Sequence, residues 1–359
     1  MRTNYLEQPE EGLYELQYNA PTGAVFASVI DRERRADNIG YLYAFDGQSL
    51  EIKGRYRMPY RAFSLTQDAQ GSWLYIGHTQ AASLRISKVD PETGHIVASS
   101  ERLHVEPSAP QDEHLRHVIH NEKTGELFVA YIGKVEENDS KHSVYRLLVL
   151  DDDTLQIKGE VANAFPSVGY ALHQDRHTQH IYTAGSDYIN EIDPATHQVI
   201  RTIVLDDQVR PRVNNLVGLA VDSRGGRIFA SQFIHQPRAD ATDERDGLYV
   251  FDHDSGRQLA FVPTGTGAVT LAYSAKHDEV YVSNFRSGTI SVVDGKTYQI
   301  KQQIPAHVFP NMMALAADES ALYVGLKQGF SKQWNPEEFV AGAKEQILRI
   351  SLDRDSPTP

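Results

Sequence analysis

The sequence predicts an all-β protein: a seven-bladed β-propeller whose ring is closed by an N-terminal strand completing the last blade. Two recurring markers and one complete repeat predict it. An Asp-x-x-Ser/Thr turn signature stands at Asp46/Ser49, Asp90/Thr93, Asp151/Thr154, Asp193/Thr196, Asp252/Ser255, Asp294/Thr297 and Asp353/Ser356. An aromatic preceded by an aliphatic or small residue leads a hairpin at Phe26, Tyr75, Phe128, Tyr182, Phe229, Tyr281 and Tyr323. The two markers recur in the same order seven times, which divides 359 residues into units of about 51. The plainest unit is Tyr281 to Thr297: a β-favouring run, a turn through Gly288, a second run from Thr289 to Val293 and a polar close. That pattern reads as a hairpin within a larger antiparallel sheet. A unit this small cannot bury its apolar face alone and must stack on its neighbours.

Four short strands per unit, a to d from the axis outward, place the blades at about 13–57, 62–102, 115–162, 168–205, 216–264, 268–306 and 312–353. They form a single propeller domain over 1–359. The seventh unit runs out of chain before its outer strand. Residues 2–8 have no other assignment and are expected to supply it, which leaves no large open sheet edge.

The connections divide into two kinds. The a–b and c–d turns are short and polar, as at Asp68–Gly71, Asp90–Thr93, Asp222–Gly225 and Ala317–Ser320, and their aspartates are turn formers. The b–c and d–a connections vary: Asp31–Asn38, Leu103–His114, Gly133–Lys141, Asp206–Asn215, Gln232–Asp246 and Lys327–Lys344 are all expected as long loops on the opposite rim. Variable loops on a rigid scaffold are where binding concentrates, so the site belongs on that rim.

Bulk properties narrow the function classes. There are no cysteines, hence no disulfides or thiolate chemistry. No apolar run is long enough for a membrane span, and Met1–Asn4 lacks the apolar core of a signal peptide. The net charge of −13 argues against a generally basic nucleic-acid binder. Many acids fall in the short turns, however, while Arg32, Arg57, Arg61, Arg116, Arg212, Arg286, Lys327 and Lys332 fall toward the long-loop rim.

Aromatic residues accompany those cations. The candidate ligand-binding residues are Arg57, Tyr60, Arg61, Arg116, His117, Arg212, Phe233, His235, Phe285, Arg286, Phe309, Lys332 and Trp334. Ring planes beside cations suit an anionic, ring-containing small molecule or the stacked bases of single-stranded DNA. Phe285 and Phe309 also fit a purely structural role between blades. The histidines His104, His114, His117 and His120 read as solvated loop residues rather than metal ligands, and no metal or other cofactor is expected. No Gly-x-Ser-x-Gly elbow or phosphate-cradling loop occurs, so an enzyme is not expected. A metal-dependent lyase using His117, His235 or His307 is the catalytic alternative.

The unit at Tyr281–Thr297 resembles the YVTN-type repeat, with its Tyr-Val run, Gly turn, Val-rich strand and Asp-x-x-Thr close. The likeness extends to Glu11–Leu16, Tyr131–Lys134, Pro310–Leu315, Leu322–Val324 with Lys327-Gln328, and Ser331–Gln333. The chain is therefore similar, along essentially its whole length, to bacterial periplasmic seven-bladed propellers of the YVTN-repeat family. The resemblance implies a periplasmic propeller made with a signal peptide that this sequence lacks; a monomer is expected. It also implies an association with iron limitation and a neighbouring TonB-dependent receptor, and single-stranded DNA binding by a member. No catalytic motif comes with it. The loops Gln232–Asp246 and Lys327–Lys344 are longer than the family pattern, which puts a shared ligand in doubt.

Overall fold

The computed structural model describes residues 1–32, 39–79, 84–104, 113–137, 140–166, 169–205, 216–233, 246–306, 309–328, 340 and 342–353. Twenty-eight strands occur among them. An N-terminal strand β1 (Arg2–Tyr5) precedes blade one, which is β2 (Glu11–Asn19), β3 (Ala24–Asp31), β4 (Gly40–Asp46) and β5 (Ile52–Met58). Blade two is β6 (Ala62–Gln67), β7 (Leu74–His78), β8 (Arg85–Val89) and β9 (Ile96–Ser99). Blade three is β10 (His114–Asn121), β11 (Glu126–Glu137), β12 (Ser140–Asp151) and β13 (Ile157–Glu160). Blade four is β14 (Gly169–Gln174), β15 (Ile181–Gly185), β16 (Tyr188–Asp193) and β17 (Gln198–Val204). Blade five is β18 (Leu216–Asp222), β19 (Arg227–Gln232), β20 (Gly247–Asp252) and β21 (Gln258–Pro263). Blade six is β22 (Ala268–Ser274), β23 (Glu279–Asn284), β24 (Thr289–Asp294) and β25 (Ile300–Pro305). Blade seven contributes β26 (Pro310–Leu315), β27 (Ala321–Leu326) and β28 (Gln346–Ser351).

Each blade is a four-stranded antiparallel sheet, seven in all among the described residues. The last is completed by β1, paired to β28 from Arg2↔Arg349 to Tyr5↔Gln346. This is the expected closure. Asn4 Nδ2 and Arg2 Nη1 also donate to the Leu50 and Gln48 carbonyls of blade one, at 2.8 and 3.1 Å, so the terminal strand grips both sides of the seam.

Strand alternation explains why the blades stack. On β3, Val25, Ala27 and Val29 face blade seven, where they meet Tyr323 and Ile347. Ala24 and Phe26 face the other way, onto Leu65, Leu74 and Ile76 of blade two. The same two-sided apolar pattern gives seven cores, each shared by two adjacent blades. All seven leading aromatics, Phe26 to Tyr323, are at most 1% exposed and fill these seams.

The c–d turns behave as their signature predicts. Asp294 Oδ1 accepts from Lys296 N at 3.0 Å and Thr297 N at 2.8 Å; both bonds recur at Asp46, and the second at Asp151 and Asp252. Bonds from backbone amides hold the Asp294, Asp46 and Asp151 carboxyls below their ordinary range. The residue four beyond each aspartate has positive φ. It is glycine at Gly94 and Gly256, but Leu50, Leu155, His197 and Tyr298 elsewhere. Leu50, Leu155 and Tyr298 tolerate the left-handed backbone because their side chains wedge into inter-blade cores. The seventh signature, at Asp353/Ser356, reaches beyond the described residues.

One connection departs from expectation. Gly133–Lys141 is not an irregular loop: β11 and β12 pair continuously from Glu126↔Asp151 to Glu137↔Ser140. The run of β-favouring residues around Val135 and Val144 simply prolongs the ladder, so a two-stranded arm extends past the rest of blade three.

Deleting Met1–Tyr5 should expose the β28 edge and lower the melting temperature by more than about 5 °C. Concentration-dependent association by light scattering should accompany it. An unchanged melting temperature would mean that β1 does not seal the ring.

Candidate functional site

Every inner strand carries a register shift close to its start. The shifts fall between Leu13 and Leu16, Ala62 and Ser64, Leu115 and His117, Gly169 and Ala171, Leu216 and Gly218, Ala268 and Thr270, and Pro310 and Met313. A β-bulge leaves an extra residue outside the ladder and re-aims its side chain. Those residues are Tyr14 with Glu15, Phe63, Arg116, Tyr170, Val217, Val269, and Asn311 with Met312. All except Tyr170, whose side chain is outside the described set, border one axial cavity of about 1090 Å³. The six bulges with described side chains thus present them around the mouth on the rim that carries the b–c and d–a connections.

The mouth is chemically lopsided. On blades one to three, the Tyr14 and Phe63 rings lie 4.3 Å apart, and the His114 ring meets Phe63 edge-on at 4.8 Å. The Arg116 guanidinium sits 5.7 Å from the Phe63 centroid. Behind Tyr14, the Lys327 ammonium is 3.5 Å from the ring centroid and donates to the Leu13 carbonyl. His117 Nδ1 and Glu15 Oε2 stand 3.7 Å apart just inside the mouth. Half a turn around the ring, Val217, Val269, Phe233 and Phe285 border the same cavity. The exposed Arg286 lies 5.0 Å from the Phe233 centroid.

A buried carboxylate anchors the cationic half. Glu345, fully buried, accepts from Leu13 N at 2.5 Å and Gln328 N at 3.2 Å, and pairs with Arg32. Burial pushes Lys327 down to about 7, against the opposing pull of Glu345, with Arg32 and Arg116 adding to the depression. Burial likewise raises the Tyr14 hydroxyl and drops His114 to about 3, the latter helped by Arg116 and His117.

The candidate residues fall into distinct places. Arg116 and His117 border the cavity; Arg61, 5% exposed, does not, though its charge is felt at Tyr14. Phe233 and Phe285 border the opposite wall. Phe309, 5% exposed, packs against Phe285 with centroids 4.9 Å apart, so its ring is spent within the wall. Arg57 is exposed on β5, the outermost strand of blade one, and Tyr60 packs edge-on against His78. Neither borders the cavity. Arg212, His235, Lys332 and Trp334 lie outside the described residues, as does His307.

Three of the four histidines are strand residues rather than solvated loop residues. His114, His117 and His120 are on β10, and each has its own partner: Thr79, Glu15 and Asp152 respectively. His104 pairs with Glu113. Strand propensity carried this segment into the inner ladder, where burial favours a polar partner for each ring. Among the described residues no three or more His, Asp or Glu side chains converge as a metal site would require.

Tyr14 and Phe63 escaped the sequence reading, as did the role of Lys327 and Glu345. A signal existed: each bulge residue lies twelve positions before its blade's leading aromatic, from Tyr14/Phe26 to Asn311/Tyr323.

At the opposite rim, Arg176 of blade four reaches Glu319 of blade seven at 3.4 Å. Glu319 also accepts from Ser274 Oγ at 2.6 Å and Lys276 N at 2.9 Å.

In an unfolded chain Lys327 titrates near the ordinary lysine value, and in the fold near 7. The unfolded chain therefore binds the extra proton between about 7 and 10, and stability should rise with pH across that window. Lys327→Met should flatten this rise in melting temperature; an unaltered slope would remove Lys327 as its source. Burial also holds His78 and His173 near 4. Unfolded histidines protonate first as pH falls below about 6.5, so stability should drop there.

No family model matches the chain. It is 25% identical over 349 residues to YncE of Escherichia coli strain K12 and to YncE of Salmonella typhi, matching 95% of this chain and 89% of each relative. Among solved structures, a chain of the Kuenenia stuttgartiensis hydrazine synthase superposes with a TM-score of 0.71 at 11% identity, covering 98% of both chains. That likeness concerns the fold alone. The chain is a seven-bladed β-propeller with YncE homologues along nearly its whole length.

Proposed function

We propose that this protein is a non-catalytic binding propeller that captures an anionic, ring-containing small molecule at the mouth of its axial cavity. The observation that carries the reading is the Tyr14–Phe63–Arg116 group, aimed into one cavity by three successive inner-strand bulges. Two rings and a guanidinium bordering a partly apolar cavity favour a flat ligand with a negative charge, since the ring faces stack and the cation pairs. The neighbouring His114 is held neutral by burial and bonded to Thr79, which suits it to form part of the wall. Periplasmic residence and a link to TonB-dependent uptake of iron or a small molecule belong to the same proposal and rest on the family resemblance.

Single-stranded DNA is the second reading, because stacked bases suit the same rings. The net charge of −13 weighs against it.

Isothermal titration of 4-methoxybenzoate should show saturable binding. Arg116→Glu should weaken it at least about tenfold, the loss of one charge-assisted contact, with little change in melting temperature. Arg286→Glu should weaken it less. A marked fall in stability with binding intact would make Arg116 structural and sink the reading. Oligonucleotide affinity that falls with salt at a log–log slope of about −0.7 per phosphate, with no benzoate binding, would favour DNA instead.

A further inference from the structure

Each blade ends in an outermost strand whose outer edge carries unpaired backbone groups, and six of the seven blunt that edge. Strands β1, β9 and β13 are only four residues long. Strand β5 exposes Lys53 and Arg57, β25 exposes Lys301 and ends in Pro305, and β21 ends in Pro263 with Leu259, Ala260 and Phe261 half-buried. Strand β17 is the exception. It runs seven residues, from Gln198 to Val204, without a proline. Its one charged residue, Arg201, is drawn inward, 2.8 Å from Glu191 Oε2 and 3.0 Å from the Asp254 carbonyl of blade five. What remains exposed is Gln198, Ile200, Thr202 and Val204, with Ile200 at 50% and Val204 at 66%.

We propose that β17 is a self-pairing edge, through which this chain, expected as a monomer, joins a second copy across a two-fold axis. Such a contact requires a surface complementary to itself, and β17 meets the requirement. With the strands antiparallel and the axis at Thr202, Ile200 of each copy lies opposite Val204 of the other, and Thr202 opposite Thr202. Every exposed position from 200 to 204 thus enters a β-branched cross-strand pair, and no like charges meet there. Nothing in the edge selects an unrelated strand by charge, whereas its own sequence fits it. Two four-stranded blades become one eight-stranded sheet. No residue of β17 borders the axial cavity, so the mouth of each copy stays open. A single strand edge covers less than a standard interface, which places the dimer at roughly tens to hundreds of micromolar.

Sedimentation velocity of the full chain, from about 5 to about 500 μM, tests this. The weight-average mass should climb from the monomer toward twice that value. Ile200→Lys and Val204→Lys each place a charge in the joint twice and should weaken association at least about tenfold. Their melting temperatures should match the parent, since both positions are on the surface. Val97→Lys, at a 51% exposed position of β9, should leave association intact. Hydrogen exchange at the β17 amides should slow as concentration rises, a readout that needs no variant. A chain that stays monomeric at the highest concentration would overturn the proposal. So would association that persists in both β17 variants, or that Val97→Lys weakens equally.

Discussion

The ring depends on one seam, because a propeller made from a linear chain must join its first and last blades without a covalent link. Here the join is electrostatic as well as hydrogen-bonded through the sheet. Glu345, with no exposed surface, draws in the Leu13 amide, the Gln328 amide and Arg32, while Lys327 donates to the Leu13 carbonyl. A buried carboxylate without such partners would cost several kcal/mol, so its environment fixes the relative placement of blades one and seven. Strand β1 then covers the outer edge of blade seven and reaches the blade-one turn through Asn4. Tyr14 sits directly on this seam, with Lys327 beneath its ring. The group that holds the ring shut therefore also sets the position of an aromatic wall of the cavity.

Repetition fixes the rest of the geometry. Seven bulges at equivalent positions supply a fixed set of directions, and the side chains placed on them decide what the mouth can hold. Scaffold and cavity lining are separable in such a design. The scaffold lies in the alternating apolar residues that make seven inter-blade cores, and the chemical character of the mouth lies in one or two residues per blade.

The blade count, closure and segregation of short turns were legible because they rest on local chemistry. An Asx turn demands its aspartate and hydroxyl at fixed spacing, and a shared core demands two-sided apolar strands. The site was legible in part. Arg116 and His117 announced themselves as charges beside a strand start, but Tyr14 and Phe63 looked like ordinary strand residues. A bulge has no composition of its own, and only the constant twelve-residue offset from the leading aromatic marks it. Loop length misled at Gly133–Lys141, where polar residues interrupt a ladder that backbone pairing nevertheless continues. Lys327 and Glu345 were hidden for another reason: their partners lie more than 300 residues away in the chain.

The pair formed by Arg176 and Glu319 has a mechanical meaning. Blades four and seven are not neighbours, yet this contact spans the narrow rim between them like a tie across a hoop. Glu319 is held firmly by blade six, whereas Arg176 is 76% exposed, so the tie is fastened at one end and screened at the other. Dilute electrolyte favours this contact and concentrated electrolyte screens it, so the surrounding medium as well as the chain bears on how the two blades meet across that rim.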